Sequence, residues 1–480
     1  MTEQDLHPRR RWLALMVLCL GVLMIVLDTT IVNVALPSIR ADLGFTETSL
    51  VWVVNAYMLS FGGFMLLGGR LGDLYGHRRM FLLGLALFTA ASAACGMAGS
   101  QTMLIAARAV QGLGGAVVSA ISLSLIMNLF TEDGERAKAM GVYGFVCAGG
   151  GSIGVLLGGL LTSALDWHWV FLVNLPIGAV VFGLCLLLLP RSKALHAVKL
   201  DLAGAVTVTS ALMLAVYAVV NGNEAGWTSP VTLGLLAGAV LLMSSFLLIE
   251  SRVKQPLMPL SLFKLRSVAV ANAVGVLWAA AMFAWFFISA LYMQLVLGFT
   301  PMQIGLAFLP ANLIMAGFSL GLSAKIVMRF GIRGPLVCGL LLGASGLALF
   351  ARAPVDGTMW LDIVPGMLLL GLGSGVAFNP LLLAAMSEVK PEDSGLASGV
   401  VNTAFMMGGS LGLAVLASLA AARSSALAAA GSALPQSLSG GYQLAFGLGA
   451  GFALLATLLV AVILRSSPKP PAAGAGAHPG

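Results

Sequence analysis

A run of about twenty consecutive apolar residues leaves a chain few choices, because at 1.5 Å per helical residue it matches the ~30 Å hydrocarbon core of a bilayer. This sequence carries fourteen such runs, at residues 13–36, 50–69, 80–98, 102–127, 138–163, 168–189, 201–221, 231–249, 268–295, 302–323, 335–352, 360–386, 396–420 and 442–464. Inside lipid every backbone N–H and C=O must find a partner within the protein, which leaves helices or a closed barrel. Continuous apolar runs, in place of alternating segments of about ten residues, exclude the barrel. The expectation is an all-α integral membrane protein. Composition agrees, since 59% of the 480 residues are hydrophobic and 9% are charged, where a soluble domain carries roughly 25% charged residues.

Charge follows the runs. With the N-terminus placed inside, all but four of the 25 basic residues fall in inner segments; Arg40, Arg352 and Arg423 fall outside and Arg108 lies within a run. Lys and Arg accumulate on the cytoplasmic side of membrane proteins, so both termini are expected there, and the chain is expected in a bacterial inner membrane. The net charge of +7 then reflects topology and gives no support to nucleic-acid binding. The basic cluster before the first run resembles a signal peptide. That run is too long and lacks a small-residue cleavage site, so it reads as a retained helix. The five cysteines all fall in runs, which argues against a disulfide framework, and no histidine–cysteine metal spacing occurs. The Pro/Gly/Ala-rich tail at 466–480 is expected to be disordered.

The chain also repeats itself. GVYGFVCAGGGSIG from Gly141 matches GVVNTAFMMGGSLG from Gly399, which sets Gly150, Ser152 and Gly154 on Gly408, Ser410 and Gly412. GLGG at Gly112 matches GLGS at Gly371 at almost the same offset. Duplicated halves are characteristic of transporters, with the substrate site between them. The division expected is an N-terminus at 1–12, a six-helix half at 13–190, an inserted helix pair with its loops at 191–267, a second six-helix half at 268–465, and the tail.

The densest charged pattern in the chain is GGRLGDLYGHRR, residues 68–79, between the second and third runs. Its spacing, Gly69-x-Leu71-x-Asp73-x-x-Gly76-x-Arg78-Arg79, joins turn-permissive glycines to an acid and two arginines. A topology-fixing basic loop would not need the glycine and aspartate spacing, so a conformational latch is the functional reading. This stretch resembles motif A of the major facilitator superfamily. LDTTIVNVALP (27–37) resembles the first-span motif of its fourteen-span drug:proton antiporters, the EmrB/QacA type, and RAVQGLGGA (108–116) resembles motif B. Gly141, Gly150, Gly154, Gly158 and Gly159 follow antiporter motif C, with Val155 where that motif has proline, and WHWVFLVNLPIG (167–178) resembles the segment opening span six. AKIVMRFGIRG (324–334) echoes motif A with Met328 in place of the acid. The resemblance implies a major facilitator fold, proton coupling through the motif B arginine, and no cofactor.

A charge within a membrane costs at least ~2.5–3.5 kcal/mol on insertion scales and marks function. Asp28 is the interior acid and Arg108 the interior base, with Glu250 and Asp362 at run edges. Both Asp28 and Arg108 lie roughly 9–12 Å below the outer boundary at 1.5 Å per residue, so they meet if their helices adjoin, as the resemblance implies. Proton coupling is the reading for the pair, and a structural counterion or helix cap is the alternative for Asp28. Trp278, Met282, Trp285 and Tyr292 recur on one helical face. They form a candidate wall for flat amphipathic ligands, with helix or lipid contact as the plain alternative. Asn33, Asn55, Asn312, Asn379 and Asn402 are candidate hydrogen-bonding groups or helix–helix contacts.

These features point to a secondary transporter exchanging protons for an exported small amphipathic molecule. Export of a metabolite, siderophore or lipid is the alternative, and an outer-membrane or adaptor partner is left open. GLGGAVVSA lacks the Gly-Lys-Ser/Thr of a phosphate loop. The loops hold no signalling domain, and no catalytic cluster appears, so a receptor or enzyme is disfavoured.

Overall fold

The computed structural model describes residues 8–130, 132–189, 201–253, 256–318, 322–352, 354–386, 388–389 and 394–464. The tail at 466–480 and most of the loop expected before the inserted pair lie outside these residues. Among those described are sixteen α-helices and no strand. They are α1 (Pro8–Leu43), α2 (Glu47–Tyr75), α3 (His77–Gly96), α4 (Gln101–Leu129), α5 (Asp133–Ala164), α6 (Trp169–Leu172), α7 (Asn174–Leu188), α8 (Leu202–Ala225), α9 (Pro230–Arg252), α10 (Arg266–Leu291), α11 (Pro301–Gly317), α12 (Ser323–Phe330), α13 (Arg333–Phe350), α14 (Val364–Met386), α15 (Ser394–Ala429) and α16 (Leu434–Ile463). Every expected run falls on one of these helices or on a consecutive pair. Twelve helical segments among the described residues are long and apolar enough to cross a membrane, and Ile153–Ala164 and Pro301–Gly317 are shorter apolar helices.

Two differences from the expected pattern have local causes. The sixth run is not one helix: α6 ends at Leu172 and α7 begins at Asn174. Pro176 cannot donate an N–H to the carbonyl of Leu172, so the ladder fails at that turn. The charged stretch at 68–79 is not a loop either, because α2 runs to Tyr75 and α3 starts at His77. The whole connection is Gly76, at φ 91°, ψ 126°, a conformation that a side chain resists.

The first seven helices pack among themselves and so do the last seven, with α1 on α5 and α2 on α4 mirrored by α10 on α15 and α11 on α14. The repeated glycines make these contacts. A Cβ at Gly158 would lie 2.7 Å from the Ile31 carbonyl oxygen of α1, and one at Gly412 would lie 2.5 Å from Ala280 Cα of α10. Of the motif C glycines, Gly150, Gly154 and Gly158 face α1 and Gly159 faces the start of α11; Gly141 is within α5. Val155 is fully buried in the unbroken α5.

The turn glycines repeat as well. Gly331, φ 75°, joins α12 to α13 as Gly76 joins α2 to α3. Two residues beyond each glycine, an arginine caps the end of its half: Arg78 donates to the Leu186 carbonyl of α7 at 2.6 Å, and Arg333 donates to the Ala461 carbonyl of α16. Basic groups satisfy the orphan carbonyls at helix C-termini and oppose the dipole there.

The halves join chiefly through α5 with α11 and α2 with α15, and α1 also touches α10 and α11. The side of the bundle where α1 begins is the terminal side, and its opposite is the distal side. On the distal half, Gly159 meets the Pro301 carbonyl, with 2.9 Å from a Cβ position, and Asn55 donates to the Ser410 carbonyl at 2.9 Å. The inserted pair lies against this seam, with α8 on α2 and α15 and α9 packed on α8. Asn223 of α8 donates to the Ser418 carbonyl of α15 at 2.7 Å.

Candidate functional site

Five helical segments bring polar groups to one buried point. Asp28 comes from the middle of α1, and Arg108 and Gln111, one turn apart, come from α4. Ser92 comes from α3, and Asn174 opens α7 at the break made by Pro176. None is more than 1% exposed. Burial of that depth demands full pairing, and the network largely supplies it.

Arg108 Nη1 donates to Asp28 Oδ2 at 2.6 Å and to Gln111 Oε1 at 2.7 Å, while its Nε donates to the Val53 carbonyl of α2 at 2.9 Å. Asp28 Oδ1 accepts from Gln111 Nε2 at 2.7 Å and from Asn174 Nδ2 at 3.1 Å. Ser92 Oγ accepts from the same two amides, at 2.6 and 3.2 Å. The guanidinium lies 4.3 Å from the Tyr57 ring centroid and 5.5 Å from that of Phe171, so a cation–π contact adds to the ion pair. Two polar atoms stay unbonded, the Tyr57 hydroxyl and Asn174 Oδ1. The site thus couples α1, α2, α3, α4 and α7 through one carboxylate, and any movement of α1 against α4 must exchange that pairing for another.

The structure brings Asp28 and Arg108 together, as their equal depth allowed if their helices adjoin. Sequence reasoning missed Gln111, Ser92, Asn174 and Tyr57. Gln111 and Asn174 stood inside quoted motifs, and their signal was an amide in an apolar segment. For Asn174 the decisive feature was the proline two residues later.

The other candidates are distributed differently. Trp278, Met282, Trp285 and Tyr292 are at most 4% exposed, so the expected ligand wall is inside the packing of the second half. Trp278 lies against Gly343 of α13, Trp285 against Phe308 of α11 with centroids 5.9 Å apart, and Tyr292 donates to the Pro354 carbonyl at 2.6 Å. The face is apolar because it is core. Phe283 and Phe286 of α10, Phe378 of α14 and Phe405 of α15 keep some exposure. Phe405 of α15 stands edge-on to both Phe283 and Phe378, at 5.8 and 5.9 Å.

Asn33 Nδ2 donates to the Thr29 carbonyl in its own helix at 3.1 Å. Asn379 is half-buried in α14. Asn312 is buried on α11, where its Oδ1 lies 3.6 Å from a Cβ position at Gly151 of α5; its Nδ2 has no partner. In the glycine-bounded stretch, Gly69 approaches Ala120 of α4, Arg78 caps α7, and Arg79 is exposed. The Asp73 side chain lies outside the described residues.

The family model described as Major Facilitator Superfamily matches residues 18–413. The chain is 39% identical over 463 residues to the puromycin resistance protein pur8 of Streptomyces alboniger, covering 95% of this chain and 92% of that one. It is 40% identical over 407 residues to the cephamycin export protein CmcT of Amycolatopsis lactamdurans, covering 84% of each. Among solved structures, an auto-inhibited POT family peptide transporter superposes with a TM-score of 0.66 at 17% identity, over 95% of this chain and 96% of that one; that likeness concerns the fold.

Proposed function

The chain belongs to the major facilitator superfamily, and on that premise we propose that it exports amphipathic drug-like molecules in exchange for protons, as a fourteen-span transporter of a bacterial cytoplasmic membrane with both termini inside. The resistance and export relatives support the direction of transport. The fourteen-span count rests on adding α5, 32 residues long, and the consecutive α11 and α12 to the twelve long apolar segments. Two six-helix halves at 13–190 and 268–465, separated by the inserted pair, belong to the same reading.

The observation that carries proton coupling is the Asp28–Arg108 contact at 2.6 Å in full burial. A carboxylate held this way is the proton-free form, since the guanidinium and both amides only donate to it. The distal seam contacts, Gly159 with Pro301 and Asn55 with Ser410, support reading this conformation as inward-facing. When α1 shifts against α4 within the first half as the transporter turns outward, Asp28 loses its countercharge, meets water from the outside and takes a proton. Return of Arg108 expels that proton inward.

Substrate is assigned to the interface between halves, with the part-exposed rings Phe283, Phe378 and Phe405 and the unused Asn312 Nδ2 donor as its candidate contacts. The motif A segment is assigned a latch role through the Gly76 joint and the Arg78 cap, with Asp73 as its switching acid. Expression in a pump-deleted bacterial host, challenged with a panel of amphipathic antibiotics and dyes, tests export. Lower accumulation of at least one compound, reversed by a protonophore, is expected; unchanged accumulation across the panel contradicts the proposal.

A further inference from the structure

The inserted helix pair carries two acids that the transport cycle above does not use. Asp201 caps α8, its Oδ1 accepting from the Gly204 amide at 2.8 Å. Glu250 lies in the last turn of α9, and its Oε2 accepts from the Met258 amide at 3.0 Å. The residues are only 6% and 3% exposed. Their remaining oxygens, Asp201 Oδ2 and Glu250 Oε1, accept nothing. Both converge on Gly204, at 2.6 and 2.7 Å from a Cβ position there, and the two carboxyl groups are within hydrogen-bonding reach of each other. A side chain at position 204 would separate them.

Two buried carboxylates in contact repel strongly if both are ionised, and among the described residues no ion pair joins either acid to a cation. One proton between the facing oxygens removes the repulsion and fills both unbonded positions. Its placement is asymmetric. Asp201 sits on the amide end of α8, which favours an anion, so Glu250 Oε1 bears the hydrogen and donates it to Asp201 Oδ2.

We propose that Asp201 and Glu250 form a proton-binding site, separate from Asp28, that clamps the α8–α9 hairpin to the terminal-side end of α2. The clamp surface is apolar: Leu257, beside the Met258 amide that Glu250 accepts from, packs with Ala205 of α8 and Leu67 of α2, with Phe64 and Leu71 at the rim. Loss of the proton sets two anions against each other and drives the end of α9 and the 256–258 segment off α2, a few residues from the Gly76 joint. The proposal needs nothing of the transport reading.

The test is the pH dependence of unfolding of the purified full chain in mixed micelles, which requires no substrate. A folded pair that keeps a proton while the unfolded chain releases it must lose stability as pH rises. The loss begins above the ordinary carboxylate range, at about pH 4–4.5, and ends where the folded pair gives up the proton. Over that window one proton changes the unfolding constant about tenfold per pH unit. Glu250→Gln places a permanent amide donor against Asp201 and is expected to remove that one-proton slope; Asp201→Asn does the same from the other side and serves if the first variant does not fold. Wild type is also expected to show the infrared carbonyl band of a protonated carboxyl at neutral pH, diminished in either variant. A slope in both variants equal to wild type, or a band unchanged by them, overturns the proposal.

Discussion

Asp28→Asn changes one atom in a nearly closed network. Asp28 accepts three hydrogen bonds, from Arg108 Nη1 at 2.6 Å, Gln111 Nε2 at 2.7 Å and Asn174 Nδ2 at 3.1 Å, and donates none. Asparagine keeps one accepting oxygen. If its NH2 takes the Oδ2 position it faces the guanidinium, and if it takes the Oδ1 position it faces two amides, so donors oppose donors in either orientation. The greater cost is Arg108, 1% exposed, which loses its counterion. Stranding one member of a buried ion pair costs about 3–5 kcal/mol, or roughly two to three and a half powers of ten in the folding constant. Unfolding in mixed micelles, followed by tryptophan fluorescence, measures the loss. The double variant Asp28→Asn, Arg108→Gln removes the stranded charge and is expected to recover about 2 kcal/mol or more of it. A single variant within about 0.5 kcal/mol of wild type, or strictly additive effects in the double variant, would refute the reasoning.

Gly76→Ala forces a side chain into positive φ at about 1–2 kcal/mol; the protein is expected to reach the membrane and to transport more slowly at matched expression. Asp73→Asn is expected to slow turnover with unchanged expression and topology, and wild-type flux in that variant would remove the latch assignment. Trp285→Ala, at a fully buried position, should cost about 3–5 kcal/mol and lower the yield of folded protein whichever compound is assayed. Phe405→Ala, at a half-buried ring, should retain folding and change the order of compound preference.

The helices were legible because lipid imposes one rule on every segment, and apolar length alone answers to it. The ion pair was legible because the two charges lie at equal depth and the family resemblance implied that their helices adjoin. What surrounds that pair was not. Asn174 reaches Asp28 only because Pro176 breaks the sixth run, and a hydropathy window averages over that break. The burial of the aromatic face of α10 was not legible for another reason: helical spacing shows that Trp278, Trp285 and Tyr292 share a side, but not whether the side meets a cavity or the core. The charged stretch at 68–79 looked like a loop because charge usually ends a span, whereas α2 continues to Tyr75 and leaves only Gly76 between helices. Asp201 and Glu250 are nearly fifty residues apart in sequence, and nothing short of the packed hairpin brings their carboxyls together.

The central claim is that a proton at Asp28 is exchanged for substrate. The most direct measurement is uptake of a fluorescent amphipathic cation into proteoliposomes loaded with acidic buffer and diluted into alkaline buffer. The account predicts accumulation in the vesicles as protons leave, none without the pH gradient or with a protonophore, and none with Asp28→Asn at matched reconstitution. Accumulation by Asp28→Asn at the wild-type level, or wild-type accumulation indifferent to the gradient, would contradict it.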